Sequence, residues 1–348
     1  MAPPSDNTQQ QPTPTHRTPR GKFKNPWPAS KPHGLRDVLR WALERRTKGR
    51  AERRAAQAPT SAFPVTKPTF PAPRASTDEI LLTWIGHSSF LLQIGSINIL
   101  LDPVWSNRAS PVSFAGPARI IPPSLSFDAL PPIDLVIVSH DHYDHLDRST
   151  VRMLRTSHPG AKWLAPLGVG AWLRNRGVSV IAELDWWQNL TTLGIEITCT
   201  PAQHFSGRRL NNRDSTLWCG WTIRAGSRAV YFAGDTGRHP EFSEITRRLG
   251  PFDAALLPIG AYNPRWFMQP VHMSPEEAVS AYMDIAAAND GRACSFVATH
   301  WGTFRLTDEP MEEPPALTRV TWSIAGLDPS LLCIPAHGET VAVFPLSR

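Results

Sequence analysis

Ser139-His140-Asp141-His142-Tyr143-Asp144-His145-Leu146-Asp147 is the stretch that decides the fold. It follows the apolar, β-branched run Ile133 to Val138, which predicts a buried strand, and it precedes Ser149 to Arg155, which predicts the start of a helix. The first two histidines are two positions apart, so an extended backbone points both imidazoles to the same side. Asp144 and His145 follow where the chain must turn. Imidazole nitrogens and carboxylate oxygens are ligands that borderline divalent metals accept, so this stretch predicts a metal site at the carboxyl end of a strand.

Three further candidate ligands share this local setting, because each follows a strand-like run. His204 follows a run that begins at Ile195, Asp235 follows one that begins at Val230, and His300 follows one that begins at Ser295. Strand ends on one edge of a sheet lie close together, so we expect these side chains to converge on the histidine-rich loop. Taken alone, Asp235 could also be only a turn former.

Length and composition are typical of a globular chain that can bury a large core. The chain has 348 residues, 41% of them hydrophobic, and a net charge of +6. The four cysteines show no CxxC spacing, which argues against a disulfide framework or a structural zinc site and favours a reducing compartment. The sequence shows neither a signal-peptide core nor an apolar run of membrane-spanning length. An intracellular protein, cytoplasmic or peripheral on a membrane, is therefore expected.

The N-terminal region, residues 1–75, predicts a basic, Pro-rich extension that precedes a catalytic domain over residues 76–348. Apolar residues at helical spacing predict an amphipathic helix over residues 35–56, with many arginines on its other faces. This helix could lie on an anionic membrane surface or pack on its own domain. An Arg-rich, acid-poor start also resembles an organelle transit peptide, so organelle targeting stays open. Ala58 to Pro73 predicts a linker.

The region after residue 78 alternates strand-like and helix-like runs without a fixed repeat, which favours an α/β domain with sheets inside and helices outside. Three short runs at its start predict a meander. Ala109 to Pro132 contains six prolines and predicts a long irregular insert. Ser274 is a plausible N-cap for a helix that starts at Pro275. The predicted strands are 81–85, 89–94, 97–101, 163–165, 179–182, 195–200, 218–224, 229–233, 254–258 and 295–298, and the other predicted helix is 241–249.

The ligand pattern resembles that of the metallo-β-lactamase superfamily of binuclear metal hydrolases. The pattern is His140-x-His142-x-Asp144-His145, followed by single ligands far along the chain, with Asp102 matching the first motif of the superfamily. Longer strings over about residues 21 to 339 resemble the N-acylphosphatidylethanolamine-hydrolysing phospholipase D family. They include Gly21-Lys-Phe-Lys-Asn-Pro-Trp-Pro28, Trp84-Ile-Gly-His87, Asn107-Arg-Ala-Ser-Pro111, Leu130-Pro-Pro-Ile-Asp134, Leu184-Asp-Trp-Trp187, Pro258 to Met268 and His300-Trp-Gly-Thr-Phe304.

The resemblance implies an αββα sandwich with two zinc ions at one edge, between the sheets. It implies three groups of ligands: His140, His142 and His204 for one ion, Asp144, His145 and His300 for the other, and Asp235 as a bridge. Asp102 is expected to orient a ligand rather than bind metal. For His87 we expect a structural role.

The same resemblance implies a phosphodiesterase of phospholipase D type. Its substrate would be N-acylphosphatidylethanolamine or a related glycerophospholipid, which water would cleave into N-acylethanolamine and phosphatidic acid. The candidate catalytic residues are Asp144, Asp235, His272 and His337. Candidate substrate contacts are Tyr143, Tyr262, Arg265 and His272, although Tyr262 and Arg265 could instead lock their loop. Val271 stands where the family usually has Gln, so this position supplies no polar side chain at the rim.

Several alternatives stay open on the sequence alone. A metal-dependent lactonase or other ester hydrolase would use the same ligand set. A nucleic-acid-binding protein is disfavoured, because the basic run Arg36 to Arg54 lies outside the catalytic domain and lacks interleaved aromatics. A non-catalytic lipid-binding module is disfavoured by the complete ligand set. Trp266 to Met268 could line a membrane-facing groove or belong to the core, and the family implies a possible homodimer.

Overall fold

Two mixed β-sheets with helices on their outer faces form the protein. The structure is a computed structural model that describes residues 16–27, 33–47, 63–209 and 211–343. The strands are β1 (Ile80–Gly86), β2 (Ser89–Ile94), β3 (Ile97–Leu101), β4 (Leu135–Ile137), β5 (Lys162–Pro166), β6 (Val180–Leu184), β7 (Asn189–Thr192), β8 (Ile195–Thr200), β9 (Gly220–Ala225), β10 (Arg228–Phe232), β11 (Ala254–Pro258), β12 (Ser295–Thr299), β13 (Leu332–Cys333) and β14 (Thr340–Val343). The helices are α1 (Leu35–Thr47), α2 (Arg148–Ser157), α3 (Val169–Arg174), α4 (Phe242–Leu249), α5 (Arg265–Met268), α6 (Pro275–Ala287) and α7 (Glu313–Ile324), with 3₁₀ turns at Phe127–Ala129 and Pro329–Leu331.

Each sheet has seven strands, and parallel pairing brings several strand ends to a common edge. The first sheet has the order β14-β1-β2-β3-β4-β5-β6 and the second the order β13-β12-β11-β10-β9-β8-β7. β3 to β6 pair in parallel, as do β10 to β13, and β8 shares the direction of β10 because both pair antiparallel with β9. The carboxyl ends of these strands therefore point the same way within each sheet.

Two buried clusters show how the layers pack. The larger cluster joins the inner faces of both sheets and includes Trp84, Trp221 and Phe296. The smaller cluster lies between the first sheet and the helices α2 and α3, and includes Leu154 and Leu173. The central strands are buried on both faces, which explains their continuous apolar runs rather than an alternating pattern. The predicted αββα sandwich is confirmed.

Most predicted elements are confirmed, with small shifts at their ends. The strand before the histidine loop covers only Leu135–Ile137. The side chain of Asp134, just before it, pairs with Arg74. Ser274 caps α6 with a full capping box that Glu277 completes, as its sequence suggested. The prediction missed the helices α3, α5 and α7 and the strands β7, β13 and β14.

Two N-terminal segments contact the domain. Residues 16–27 place Phe23 in the core at 5% exposure. α1 contacts the domain through Trp41, which donates to Asp308 and stacks on Phe267. Its predicted continuation over residues 48–56 lies outside the described residues. The predicted apolar face, however, is turned outward: Val38, Leu39 and Leu43 are 40%, 57% and 62% exposed.

Within the described ranges, every helix is too short or too polar to cross a lipid bilayer.

Candidate metal centre

The candidate site lies where the two sheets meet at the carboxyl ends of their strands. Asp102 follows β3, the histidine loop follows β4, Asp235 follows β10 and His300 follows β12. His204 lies four residues beyond β8, in a loop. Six of these side chains are buried, at 3% exposure or less, namely Asp102, His140, His145, His204, Asp235 and His300. His142 and Asp144 are partly buried. The parallel strands therefore bring together side chains that lie up to two hundred residues apart in sequence.

Nitrogens of three histidines form a first group, with the rings close to perpendicular to one another. His140 Nε2 lies 2.9 Å from His142 Nδ1, which lies 3.2 Å from His204 Nε2. The outer nitrogens of two of these rings are already bonded. His204 Nδ1 lies 2.9 Å from the carbonyl of Val271, so it carries the proton that it donates. His204 Nε2 is then a lone pair that points into the group.

The tautomer of His140 follows from its neighbour Ser139. The Ser139 hydroxyl donates to Asp102 at 2.5 Å, so its oxygen must accept from His140 Nδ1, which lies 2.9 Å away. The inward Nε2 of His140 is thus also a lone pair. Lone pairs that converge on one point repel each other unless a cation lies between them, and three imidazoles are a typical zinc ligand set.

A second group joins Asp144, His145 and His300, with His87 beside it. His145 Nε2 and His300 Nε2 lie 3.5 and 3.6 Å from Asp144 Oδ2, and His87 Nε2 lies 2.9 Å from the same oxygen. The inward nitrogens of His145 and His300 are buried and make no hydrogen bond. Four potential ligand atoms thus lie within 4.8 Å of one another.

Asp235 lies between the two groups. Its Oδ2 is 3.0 and 3.1 Å from the inward nitrogens of His300 and His145, and 3.8 and 3.9 Å from those of His204 and His140. Its Oδ1 is buried without a hydrogen-bond partner. A carboxylate in this position can serve two cations at once.

Asp102 supports the site from behind. Its Oδ2 accepts from His145 Nδ1 at 2.7 Å, and its Oδ1 accepts from the backbone amide of Ser139 at 2.7 Å. The carboxylate therefore fixes both the ring of His145 and the start of the histidine loop. Partners of this kind set the tautomer of a metal-binding histidine, and the orienting role of Asp102 stays a prediction.

Three residues of the site adopt left-handed backbone conformations. The φ angles of His87, Asp102 and His300 are 57°, 40° and 60°. Such conformations cost free energy in residues other than glycine and are held only where surrounding contacts determine them. The fold thus turns the chain sharply at these strand ends and directs the side chains inward.

The electrostatics of the two groups differ. Burial lowers the pKa of His142 to about 4 and that of His204 to about 3, so both rings are neutral near pH 7. Burial opposes ionisation of Asp235, but His145 and His300 outweigh it and hold the carboxyl pKa well below its usual range. The first group therefore offers neutral imidazoles. Burial also opposes a charge on His145 and His300, but Asp235 and Asp144 outweigh it, raising the pKa of His300 to about 9 and holding that of His145 well above its usual range. These two rings carry protons that a bound divalent metal would displace.

His272 and Arg265 lie at the rim of the site. The His272 ring centroid is 5.0 Å from that of His204 and 5.2 Å from that of His300, and its Nδ1 has no hydrogen-bond partner. Arg265 donates to the carbonyl of His272 at 3.1 Å and pairs with Glu277 at 2.7 Å. The Tyr262 hydroxyl donates to Glu313. These partners are those expected if Arg265 and Tyr262 lock their loop.

Tyr143 and Asp141 face away from the convergent ligands. The Tyr143 hydroxyl donates to the carbonyl of Arg208 at 2.7 Å, and Asp141 accepts from the amide of Gly207 at 2.8 Å. Both side chains border an open groove of about 590 Å³. A second groove, of about 700 Å³, shares part of this lining; its walls carry Arg108, Arg148, Arg152, Arg155 and Arg176. This second groove is therefore strongly basic and lies beside the end of the histidine loop at Asp147.

His87 and His337 lie beside the second group. His337 lies 3.2 Å from the Thr303 hydroxyl and packs on Trp84 with ring centroids 4.1 Å apart, behind His87 rather than among the ligands. His87, for which a structural role is expected, lies directly against Asp144, with its Nε2 2.9 Å from Asp144 Oδ2. The sequence feature that could have indicated this placement is the position of His87 in a tight turn between two apolar strands.

Comparison with known proteins agrees with this architecture. The family model of a beta-lactamase superfamily domain matches residues 97–301, which is more than half of the chain. The chain belongs to the metallo-β-lactamase superfamily of metal-dependent hydrolases. A solved superfamily structure, a metallo hydrolase from Ignicoccus hospitalis, has a TM-score of 0.57 and 25% identity, and the match covers 76% of this chain and 98% of that one.

Two relatives extend the similarity beyond the superfamily domain. A protein of Mycobacterium tuberculosis is 41% identical over 328 residues, 92% of this chain and 82% of the relative. The N-acyl-phosphatidylethanolamine-hydrolyzing phospholipase D 1 of Caenorhabditis elegans is 40% identical over 250 residues, 69% of this chain and 68% of the relative. The resemblance seen in the sequence is confirmed.

Proposed function

We propose that the protein is a di-zinc phosphodiesterase of phospholipase D type that hydrolyses N-acylphosphatidylethanolamine or a related glycerophospholipid. The observation that carries the proposal is the position of Asp235 Oδ2 within 3.0–3.9 Å of histidine nitrogens from both groups. This arrangement fits two cations that share one carboxylate. The similarity to the C. elegans phospholipase D supports the substrate class.

In this proposal seven side chains hold the metals. One ion is assigned to His140, His142 and His204, the other to Asp144, His145 and His300, and Asp235 lies between them. When bound, two zinc ions would supply a hydroxide nucleophile near neutral pH and offset the charge of the phosphodiester. His87 and Asp102 hold Asp144 and His145 in place through the hydrogen bonds described above.

The protein's own groups would then manage protons and the leaving alcohol. Asp235 Oδ1 is free of hydrogen bonds and is placed to accept a proton from the attacking water. Burial holds the pKa of His272 well below its ordinary value, so its neutral ring can donate a hydrogen bond to the departing head-group oxygen. That oxygen would take up the proton first accepted by Asp235 and leave as the alcohol. The contact predicted between His337 and substrate stays a prediction. The ring of His337 lies against Thr303, on the far side of His87 from the ligands.

A phospholipid substrate also needs a route from the bilayer. The arginine-lined groove beside the histidine loop carries none of the seven metal ligands in its walls, and its charge suits the anionic head groups of a membrane surface next to the site. The outward apolar face of α1, together with Phe114 at 82% exposure, suits peripheral contact with a membrane. Homodimer formation remains a prediction from the family resemblance.

The test is hydrolysis of defined phospholipids in mixed micelles by the zinc-loaded protein. We expect release of N-acylethanolamine and phosphatidic acid, loss of activity after chelation, and recovery on adding zinc. Cleavage of lactones or carboxylic esters with no release of phosphatidic acid would refute the phospholipase proposal and leave the metal site standing.

Membrane contact is tested separately with anionic vesicles. Leu39→Asp and Leu43→Asp in α1 are expected to weaken vesicle binding without lowering Tm, because both side chains are exposed. Ile324→Asp, at 82% exposure on α7, is the matched control and is expected to bind vesicles as the wild type does. Equal loss in all three variants would count against a specific role for α1.

A further inference from the structure

The N-terminal segment reaches the candidate metal centre through one side chain. Residues 16–27 form a short reversal, closed by a bridge between Arg17 and Phe23, and lie against the domain. His16 pairs with Asp185 at 2.7 Å, and the amide of Phe23 donates to the carbonyl of Asp214 at 2.9 Å. These contacts fix the position of the residues that follow.

Asn25 binds the backbone of His204 at both of its polar groups. Its Nδ2 donates to the His204 carbonyl at 2.9 Å, and its Oδ1 accepts from the His204 amide at 3.2 Å. Its Oδ1 also accepts from Trp218 Nε1 at 3.1 Å. Because the indole can only donate, this third bond fixes which end of the amide is oxygen.

The local backbone explains why His204 needs this support. β8 ends at Thr200, and residues 201–207 belong to no strand or helix, so His204 lacks the ladder partners that hold a strand residue. Its ring is held from the other side by the carbonyl of Val271. Together, Asn25 and Val271 leave Nε2 with one direction, toward His142 and Asp235.

We infer that Asn25 is a positioning residue for the metal ligand His204, so that the N-terminal segment is part of the metal centre rather than an appendage to it. The inference rests on the proposed metal site. It predicts that loss of the Asn25 contacts loosens the ion held by His140, His142 and His204 before the ion held by the second group.

The experiment compares Asn25→Ala and Asn25→Asp with the wild type in the full chain. Asn25→Asp keeps the shape and the acceptor for Trp218 but loses the donor to the His204 carbonyl. Both variants are expected to bind one of two zinc equivalents about 10-fold more weakly, in line with other residues that orient metal ligands. Chelator competition measures this, and cobalt-substituted protein is expected to show an altered visible spectrum at one site.

Arg17→Ala is the matched control, because Arg17 lies in the same segment, pairs with Asp185 and is 41% exposed in its side chain. It is expected to retain wild-type zinc affinity. Circular dichroism and Tm show whether each variant folds, and Asn25→Asp provides an isosteric test if Asn25→Ala does not. Wild-type zinc affinity and cobalt spectrum in a folded Asn25 variant would overturn the inference. Because these readouts need no lipid, they are independent of whether the protein cleaves phospholipid.

Discussion

Replacing Asp102 by Asn removes one charge from a buried position. It also leaves a side chain that cannot accept all of the hydrogen bonds donated there. The carboxylate accepts three hydrogen bonds, from the Ser139 amide, the Ser139 hydroxyl and His145 Nδ1, at 2.7, 2.5 and 2.7 Å. An amide has only one acceptor oxygen. In either orientation its NH₂ group faces at least one N–H donor, and the tautomer of His145 is no longer fixed.

The expected change in unfolding free energy is the net result of two opposing contributions. A hydrogen bond to a charged group contributes about 1.5–3 kcal/mol, whereas burial raises the pKa of Asp102 and shows that its charge is costly to desolvate. We therefore expect a net loss of about 1–3 kcal/mol in the unfolding free energy of the metal-free protein. Metal affinity should fall about 10- to 100-fold, because His145 loses its orienting partner.

Two assays and one control separate these effects. Denaturant unfolding of the metal-free protein gives the stability change, and chelator competition gives zinc affinity. Asp134→Asn is the matched control, because it makes the same chemical change elsewhere. Asp134 lies just before the start of β4 and pairs with Arg74, whereas Asp102 contacts Ser139 beyond the carboxyl end of that strand. It should leave zinc affinity unchanged. Wild-type zinc affinity in Asp102→Asn would refute the orienting role.

Three further predictions concern pH, positioning and packing. Burial, with the charge of Arg238, lowers the pKa of His239 to about 3, so the unfolded chain binds more protons below pH 6.5. Folding stability should fall by about 2 kcal/mol from pH 7 to pH 5 through this residue, and unfolding of His239→Gln should lack that part of the slope. Arg265→Ala should lower kcat about ten-fold, because the His272 loop loses its anchor, while Arg319→Ala, at an exposed position of α7, should not. Equal kcat values for the two variants in steady-state assays would contradict this. Leu82→Ala should cost about 2–5 kcal/mol in chemical denaturation, since Leu82 is fully buried between the sheets, and a cost below 1 kcal/mol would contradict that packing.

The sequence predicts best those features that are local. The histidine loop is recognisable because the spacing of its ligands and the apolar strand before it lie close together in the sequence. The same holds for Asp235 and His300, which each follow a strand-like run. The capping box of α6 is likewise encoded by neighbouring residues.

The remaining features depend on contacts between distant residues. Asn25 and His204 are 179 positions apart and meet in irregular backbone, so no periodicity indicates their contact. The apolar face of α1 predicts burial if the helix packs on its domain, yet Trp41 and Arg45 make the domain contacts and leave Leu39 and Leu43 exposed. Tertiary packing, not helical pattern, decides which face turns inward. β14 is short, and its pairing with β1 defines it as a strand.

Metal analysis of the purified protein combined with anomalous diffraction tests the central claim most directly. Two divalent ions per chain are predicted, one among His140, His142 and His204 and one among Asp144, His145 and His300, with Asp235 contacting both. Zinc-equilibrated protein that holds no ion between these residues, or holds its ions elsewhere on the chain, would contradict the account.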